Sequence, residues 1–112
     1  MITQYSFGKM CINGIWYQRD LQINGVTVLP DWWRKNGHEC RIEDLDEILA
    51  GRPDILILGQ GKPGLMRATD ELKRYLRQHD IQLIQQPTTE AVATFNGLYR
   101  EKKVAAGFHL TC

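Results

Sequence analysis

The 112-residue sequence has no long hydrophobic run and no excess charge of one sign. No window approaches the roughly 18 consecutive apolar residues of a membrane-spanning helix, and no basic segment followed by an apolar one marks a secretory signal. The 14 basic and 13 acidic residues leave a net charge of +1, whereas phosphate-backbone binding usually requires a clear basic excess. We therefore expect neither a membrane nor a nucleic acid as a partner.

The three cysteines are too few, and too far apart, for a disulfide framework or a common zinc motif. Cys11, Cys40 and Cys112 include no C-x-x-C pair, and a chain of this length can build a core without disulfides. Two half-motifs, His38-x-Cys40 and His109-x-x-Cys112, would have to come together in space to bind zinc. We expect a reduced, cytoplasmic protein without a metal ion or another cofactor.

Familiar catalytic motifs are also missing. The sequence contains no G-x-S-x-G, no P-loop ending in Lys-Ser or Lys-Thr, and no H-E-x-x-H. Cys112 and His109 are possible in principle as a nucleophile and its base, but no third residue that would orient the histidine can be named. These absences favour a non-enzymatic role.

The residues that are present predict a globular domain that begins with β-structure. Hydrophobic residues make up 43% of the chain, which is close to the globular norm, and the length fits a single domain over residues 1–112. Asn13-Gly14 and Asn24-Gly25 each separate two short β-forming runs. Both pairs predict hairpins, and their proximity favours one small antiparallel sheet or meander.

Beyond residue 40 the pattern alternates between helix and strand. The apolar run from Ile55 to Leu58 predicts a strand buried on both faces, and further strands are predicted over 81–85 and 104–110. Because a helix is predicted between the first two strands, they should form a parallel, right-handed βαβ unit.

Helix boundaries are marked by capping residues. Ile42, Leu45 and Leu49 share one helical face, Thr69 is a good N-cap followed by two acids, and Pro87-Thr88 opens a third helix. The predicted fold class is α/β, with a mixed central sheet, flanking helices and an N-terminal antiparallel β layer.

The glycine loop, residues 59–67, follows the first buried strand. Its first six residues, Gly59-Gln60-Gly61-Lys62-Pro63-Gly64, formally match the dinucleotide fingerprint G-x-G-x-x-G. However, Pro63 precedes the third glycine, and the second strand runs into Gln85-Gln86 where an acid would bind ribose. NAD and FAD are therefore not expected. A smaller anion remains a hypothesis, because parallel strands open crevices at their carboxyl ends; the alternative is a loop whose glycines serve only a sharp turn. The candidate ligand residues are Gly59, Gln60, Gly61, Lys62, Gly64, Arg67 and Thr88.

Trp32 and Trp33 are the second candidate feature. Side chains of neighbouring residues in an extended chain point to opposite faces, so one indole can fill the core while the other meets solvent or a partner. The high average burial of tryptophan favours the alternative, in which both cover the seam between the β layer and the helices. Arg34 is expected to stack on an indole or to pair with the acidic residues 43–47. The candidate partner-binding residues are Trp32, Trp33, Arg34 and His38.

Several segments, taken in their order and spacing, carry a family resemblance over about residues 5–112. They are Trp32-Trp33-Arg34 with Gly37-His38, Pro53-Asp54 leading through Leu58 to Gly59-x-Gly61, Pro87-Thr88 with Ala91 and Asn96, and the ending His109-Leu110-Thr111-Cys112. With these segments the sequence resembles the family called domain of unknown function 498. Relatives of that type include an adipogenesis-associated protein and a mitochondrial complex I assembly factor.

The resemblance implies a three-layer α/β fold whose five-stranded mixed central sheet has one antiparallel strand. The family has no established catalytic residues, and its loop more often reads Gly-Thr-Gly where this chain has Gln60. Our leading interpretation is a small, non-enzymatic binding or assembly-type protein, a monomer or weak dimer with an unidentified protein partner. The alternative is a protein or enzyme that binds a small anionic ligand at the glycine loop 59–67.

Overall fold

The computed structural model describes residues 1–112 and contains ten β-strands, three α-helices and one 3₁₀ turn. The strands are β1 (Ile2–Ser6), β2 (Lys9–Ile12), β3 (Ile15–Tyr17), β4 (Leu21–Asn24), β5 (Thr27–Leu29), β6 (Glu39–Cys40), β7 (Ile55–Gly59), β8 (Arg67–Ala68), β9 (Gln82–Gln86) and β10 (Val104–Phe108). The 3₁₀ turn spans Ile42–Leu45, and the helices are α1 (Asp46–Ala50), α2 (Asp70–Gln78) and α3 (Thr88–Leu98).

Five strands form the central sheet in the order β5-β4-β10-β7-β9. β9 and β10 run parallel to β7, whereas β4 is antiparallel to both of its neighbours. β4 therefore runs against the other four strands, which gives the mixed sheet with one antiparallel strand that the resemblance implied. The parallel pairing of β7 with β9 confirms the βαβ prediction.

β7 is buried along its whole length because it faces two cores. Ile55 and Ile57 pack on one side with residues of α3 and of the three-stranded sheet β1-β2-β3. Leu56 and Leu58 pack on the other side with α1 and α2. Burying each of these side chains contributes about 1.5–3 kcal/mol. Because the central sheet is covered on both faces, it forms the middle of three layers, as predicted.

The first predicted hairpin is confirmed. Asn13 and Gly14, with φ of 51° and 83°, connect β2 to β3. Positive φ at both central residues defines a type I′ turn, the form that Asn-Gly favours between twisted strands.

The second hairpin forms too, but in the central sheet, so the prediction of one antiparallel sheet from both hairpins was wrong. Asn24 pairs with Thr27 in the ladder, which leaves Gly25 (φ 66°) and Val26 as the turn residues, as in a type II′ turn. β4 lies inside the central sheet because Leu21 and Ile23 are fully buried in its core.

The helices begin near their predicted caps. The hydroxyl of Thr69 accepts a hydrogen bond from the amide of Leu72 at 3.2 Å, and α2 follows. α3 begins at Thr88 as expected, while the first predicted helix opens as the 3₁₀ turn. None of the helices combines the length and the apolar character that crossing a bilayer requires.

Candidate functional site

Four segments meet where β7, β9 and β10 end. They are the glycine loop after β7, Pro87-Thr88 after β9, His109–Cys112 after β10, and the corner at Asp20 that precedes β4. The start of β4 reaches the same edge because this strand runs in the opposite direction. Open α/β sheets bind their ligands at this carboxyl edge.

Asp20 holds two basic side chains at this edge. Its Oδ2 lies 2.7 Å from Nδ1 of His109 and 2.9 Å from Nη2 of Arg34, and its Oδ1 accepts a hydrogen bond from the Leu110 amide at 2.7 Å. The side chains of Arg34 and His109 are only 2% and 8% exposed. A hydrogen bond to Asp20 requires the proton on Nδ1 of His109, which leaves Nε2 as the uncommitted ring nitrogen.

These contacts lower the pKa of Asp20. Burial is the largest single influence and raises the pKa, but it is outweighed by the combined hydrogen bonds from His109 and the Leu110 amide and the charges of His109 and Arg34. Asp20 is therefore a carboxylate at neutral pH, and the site contains an ion pair between this half-buried acid and the buried Arg34.

Arg34 is fixed by further contacts. Its Nη2 also donates to the carbonyl of Gly37 at 2.8 Å, and its guanidinium carbon lies 4.4 Å from the ring centre of Trp32, within cation–π range. The predicted stacking on an indole is thus confirmed. The predicted pairing with the acidic residues 43–47 was wrong, because Asp20 takes the charged contact inside the fold.

The two tryptophans have opposite environments. Trp32 is 7% exposed, its Nε1 donates to the Asp44 carbonyl at 2.8 Å, and a Cβ at Gly107 would come within 2.6 Å of its ring. Trp33 is 77% exposed. The prediction that favoured burial of both was wrong for Trp33, because alternation along the chain turns it outward. Of the candidate partner-binding residues, Trp32 and Arg34 are buried, and Trp33 and His38 are exposed.

The glycine loop is packed against the segment that follows β10. Gly61 has a φ of +95°, and a Cβ there would collide with the Thr111 carbonyl oxygen and lie 2.7 Å from Cδ2 of His109. The Gly61 amide donates to the Thr88 hydroxyl at 2.8 Å, and this hydroxyl donates to the His109 carbonyl at 2.6 Å. Glycine is needed here because another part of the chain approaches so closely.

Other amides of the loop are also engaged. Three further amides donate to main-chain carbonyls at 2.8, 2.8 and 3.2 Å; the donors are Gln60, Lys62 and Leu65, and the acceptors are Gln86, Thr111 and Cys112. A phosphate cradle needs free amides, and these are committed within the chain.

The candidate ligand residues are brought together only in part. Gly59, Gly61 and Thr88 lie together in the interior, Gln60 and Gly64 are half-buried, and Lys62 and Arg67 are exposed. Arg67 lines a cavity of about 300 Å³ at the start of α2, together with His38. Beside it, a cavity of about 540 Å³ is lined by charged and polar residues of both signs. Neither cavity contains Lys62 or Thr88.

The histidines of the two half-motifs considered for zinc, His38-x-Cys40 and His109-x-x-Cys112, lie near each other. The rings of His38 and His109 stand edge to face, with centroids 6.2 Å apart, but no group of three His, Cys, Asp or Glu side chains is arranged to hold a metal ion. Cys40 is buried, and this burial raises the pKa of its thiol. All three cysteines are free.

Asp20 is the site residue that sequence reasoning missed. It lies 89 positions before His109 and belongs to no local motif. The only available signal was its place directly before the strand segment Leu21-Gln22-Ile23, where an acid is usually interpreted as a surface residue. It supplies the orienting contact whose absence counted against His109.

The chain matches a family model described as protein of unknown function (DUF498/DUF598) over residues 2–109. The conserved hypothetical protein PH1505 from Pyrococcus horikoshii OT3 is 25% identical, with a TM-score of 0.86 and coverage of 100% of this chain and 99% of that one. A protein described as an outer membrane protein from Bartonella henselae is 24% identical, with a TM-score of 0.84 and coverage of 99% and 94%. XCC1710 from Xanthomonas campestris is 17% identical, with a TM-score of 0.82 and coverage of 98% and 83%. The last two likenesses concern the fold alone.

Proposed function

Because the chain belongs to the DUF498/DUF598 family of proteins of unknown function, we propose a function from its own surface: a protein-binding domain whose contact surface is centred on Trp33. The observation that carries this proposal is the 77% exposure of the Trp33 side chain. Tryptophan is highly buried on average, and it is enriched among the residues that dominate binding energies at protein interfaces.

Trp33 is presented by a fixed backbone. On one side, the Trp32 amide donates to the Asp20 carbonyl at 2.8 Å and the Trp32 ring is buried. On the other side, Arg34 is held by the Asp20 carboxylate at 2.9 Å. Since both neighbours are ordered in the free protein, binding would immobilise little more than the Trp33 indole, and the entropic cost of association would be small.

The other exposed hydrophobic residues provide a comparison. Trp33 is the most exposed of six large hydrophobic side chains. Trp16, on the edge strand β3, is partly covered by Lys9, whose Nζ lies 5.1 Å from the ring centroid. Because a neighbouring cation covers part of its ring and leaves it less exposed than Trp33, Trp16 is the control for Trp33.

The proposal describes a binding or assembly-type protein of the cytoplasm. The three free cysteines support a reducing compartment. A small-anion site built from the glycine-loop amides has less support, because those amides donate within the chain.

Partner capture from the native cell tests the proposal. Wild-type protein, Trp33→Ala and Trp16→Ala are immobilised in parallel, since each substitution removes one exposed indole. We expect wild type and Trp16→Ala to recover the same partner in equal amounts. The Kd of that partner should be roughly 30-fold higher for Trp33→Ala than for wild type, which is equivalent to a hot spot of about 2 kcal/mol. Recovery of no specific partner, or equal binding by Trp33→Ala, contradicts the proposal.

A further inference from the structure

β9 forms one outer edge of the central sheet, and its main chain is paired on one side only. Its single neighbour is β7. None of the five residues Gln82–Gln86 is buried, whereas every residue of β7 and of β10 is. The unpaired side of an edge strand presents N–H and C=O groups that are able to pair with another strand.

The free main-chain groups of this edge belong to Leu83 and Gln85. Gln82 faces β7, because its amide donates to the Asp54 carbonyl at 2.9 Å. The main-chain groups of a strand point alternately to its two sides, so Leu83 and Gln85 direct theirs away from β7. Neither residue bonds to the main chain of any turn or loop. Each of the two therefore offers one donor and one acceptor to a further strand.

The β9 edge has none of the usual protection against pairing. Natural edge strands are commonly kept short, charged, bulged or interrupted by proline. β5, the opposite edge of the same sheet, has only three residues and is followed directly by Pro30. β9 has five residues, an uninterrupted register with β7, and no charged residue or proline. This contrast between the two edges indicates that β9 is open to a partner strand.

We propose that two copies of this chain pair along β9 in antiparallel orientation, with Ile84 opposite Ile84 of the second copy. In this register Leu83 of each copy lies opposite Gln85 of the other. These are hydrogen-bonded pairs of the antiparallel ladder, so every outward N–H and C=O group of both residues is satisfied. The two central sheets then form one continuous sheet across the dimer.

The register centred on Ile84 is the one in which all the outward groups find partners. A ladder centred on Leu83 would set Gln85 opposite Ile81, whose amide already donates to a carbonyl of α2 at 2.9 Å. A ladder centred on Gln85 would set Leu83 opposite Pro87, which has no N–H to donate. The sequence of this edge is therefore complementary to itself in a single register.

The side chains fit this register as well. Ile84 is only partly buried and packs at the border of the core beneath α3. Opposite its own copy it occupies a non-hydrogen-bonded position, where side chains approach most closely, and it extends that core across the dimer. On the same face Gln82 stands opposite Gln86 of the second copy, and amide side chains both donate and accept hydrogen bonds. Residues 81–89 carry no charge, so no like charges meet along the strands.

α2 provides a charge match that favours a second copy over a foreign strand. The helix contacts β9 and packs on the sheet face opposite to α3. Its first turn contains Asp70 and Glu71, and its last turn contains Arg77. The two-fold axis that makes the β9 strands antiparallel also makes the two α2 helices antiparallel. The acidic end of each helix is then on the same side as the basic end of the other, which favours association.

Association of the wild-type protein tests the proposal directly. Sedimentation equilibrium between about 10 µM and 1 mM should show a reversible dimer with a Kd of roughly 100 µM, because one pair of edge strands makes a small interface. Wild-type protein that stays monomeric overturns the proposal in favour of an extended segment of another protein as the occupant of this edge.

Amide hydrogen exchange over the same concentration range locates the contact. With that Kd, exchange of the Leu83 and Gln85 amides should slow about fourfold from the lowest to the highest concentration, in line with the loss of free monomer. Val28 is the matched control, because its amide points outward on β5, the opposite edge, and its exchange should not change. A dimer that protects neither Leu83 nor Gln85 overturns the proposal.

Disulfide cross-linking tests the register, in a Cys112→Ser background because Cys112 is the exposed cysteine. Ile84→Cys places two thiols on opposed residues, with Cα atoms about 4.5 Å apart, within disulfide range. Gln82→Cys is more exposed, but its two copies lie roughly 13 Å apart, four residues along the strand. Diamide serves as the oxidant and takes two electrons and two protons from each pair of thiols.

We expect Ile84→Cys to form the covalent dimer at least tenfold faster than Gln82→Cys. Equal cross-linking of the two variants, or faster cross-linking of Gln82→Cys, overturns the proposed pairing. Trp33→Ala should leave the Kd of the dimer unchanged, so the outcome here is separate from the outcome for partner binding at Trp33.

Discussion

Nδ1 of His109 lies 2.7 Å from Oδ2 of Asp20, although 89 positions of sequence separate the two residues. The same carboxylate binds the Leu110 amide and Arg34. One acid therefore joins the segment after the last strand, the start of β4 and the segment that presents Trp33.

Replacing Asp20 with Asn should destabilise the protein by about 3 kcal/mol, because removing one partner leaves Arg34 as an uncompensated buried charge. Urea unfolding measures the change. Asp31→Asn removes an exposed acid and should change the free energy of unfolding by no more than about 0.5 kcal/mol. Equal effects of the two substitutions would show that the buried pair contributes no stability.

Acidification should remove the contribution of Asp20. Its pKa in the folded state is below the unfolded value of 3.8, so the carboxylate stabilises the fold above that pH, and this stabilisation is lost as the pH falls through the folded pKa. The difference in unfolding free energy between wild type and Asp20→Asn should therefore shrink as the pH is lowered below about 4. A difference that stays constant across this range contradicts the assignment.

Gly61→Ala should cost about 2 kcal/mol or more. The new methyl would collide with the Thr111 carbonyl oxygen, and alanine is strained at a φ of +95°. Gly37 is the matched control, because no atom lies within 4 Å of a Cβ at that position. Thermal or urea unfolding of Gly61→Ala and Gly37→Ala measures the difference. Similar stabilities of the two variants would mean that the glycine loop adjusts to the new methyl group without loss of unfolding free energy.

Thr88→Val should cost about 2–3 kcal/mol because it leaves the Gly61 amide and the His109 carbonyl without their buried hydroxyl partner. Thr88→Ser keeps the hydroxyl and should recover most of the stability. Thr89→Val, at the exposed neighbouring position, controls for the effect of valine in the first turn of α3. Destabilisation by Thr89→Val equal to that by Thr88→Val would assign the effect to the helix rather than to the hydroxyl.

Trp32→Ala and Trp33→Ala should separate stability from surface function. Removing the buried Trp32 ring should cost about 3–5 kcal/mol, whereas removing the exposed Trp33 ring should change the unfolding free energy by less than about 0.5 kcal/mol. Urea unfolding again provides the measurement. A large loss in Trp33→Ala would mean that the indole stabilises the fold, and any loss of partner binding would then have a structural cause.

Local features of the fold were predictable because residues close in sequence decide them. The cap at Thr69, the type I′ turn at Asn13-Gly14 and the two-sided burial of Ile55 to Leu58 all depend on patterns a few residues long. The addition of β4 to β10 depends instead on which distant strand accepts the apolar face of β4, and no local pattern contains that choice.

The candidate site was predicted only in part for the same reason. The sequence pointed to Arg34 as a candidate and considered His109, but the contacts that join these two side chains are made by Asp20, an acid without a motif. The sequence showed the glycines of the loop but not why Gly61 must be glycine. The Thr111 carbonyl that fills the space beside Gly61 belongs to a segment distant in sequence. Such contacts depend on how distant segments pack together, and the spacing of residues within a local motif does not specify that packing.

The pairing of β4 with β10 also has a kinetic consequence. Leu21 pairs with Phe108 and Asn24 with Ala105, so the middle of the sheet joins a strand near the start of the sequence to one near its end. Contacts of such high sequence separation slow folding, because the closure of a long loop precedes the gain from pairing. During synthesis on the ribosome, the apolar side chains of β4 must wait for β10 to emerge, and this interval is when the chain is most exposed to aggregation and to chaperones.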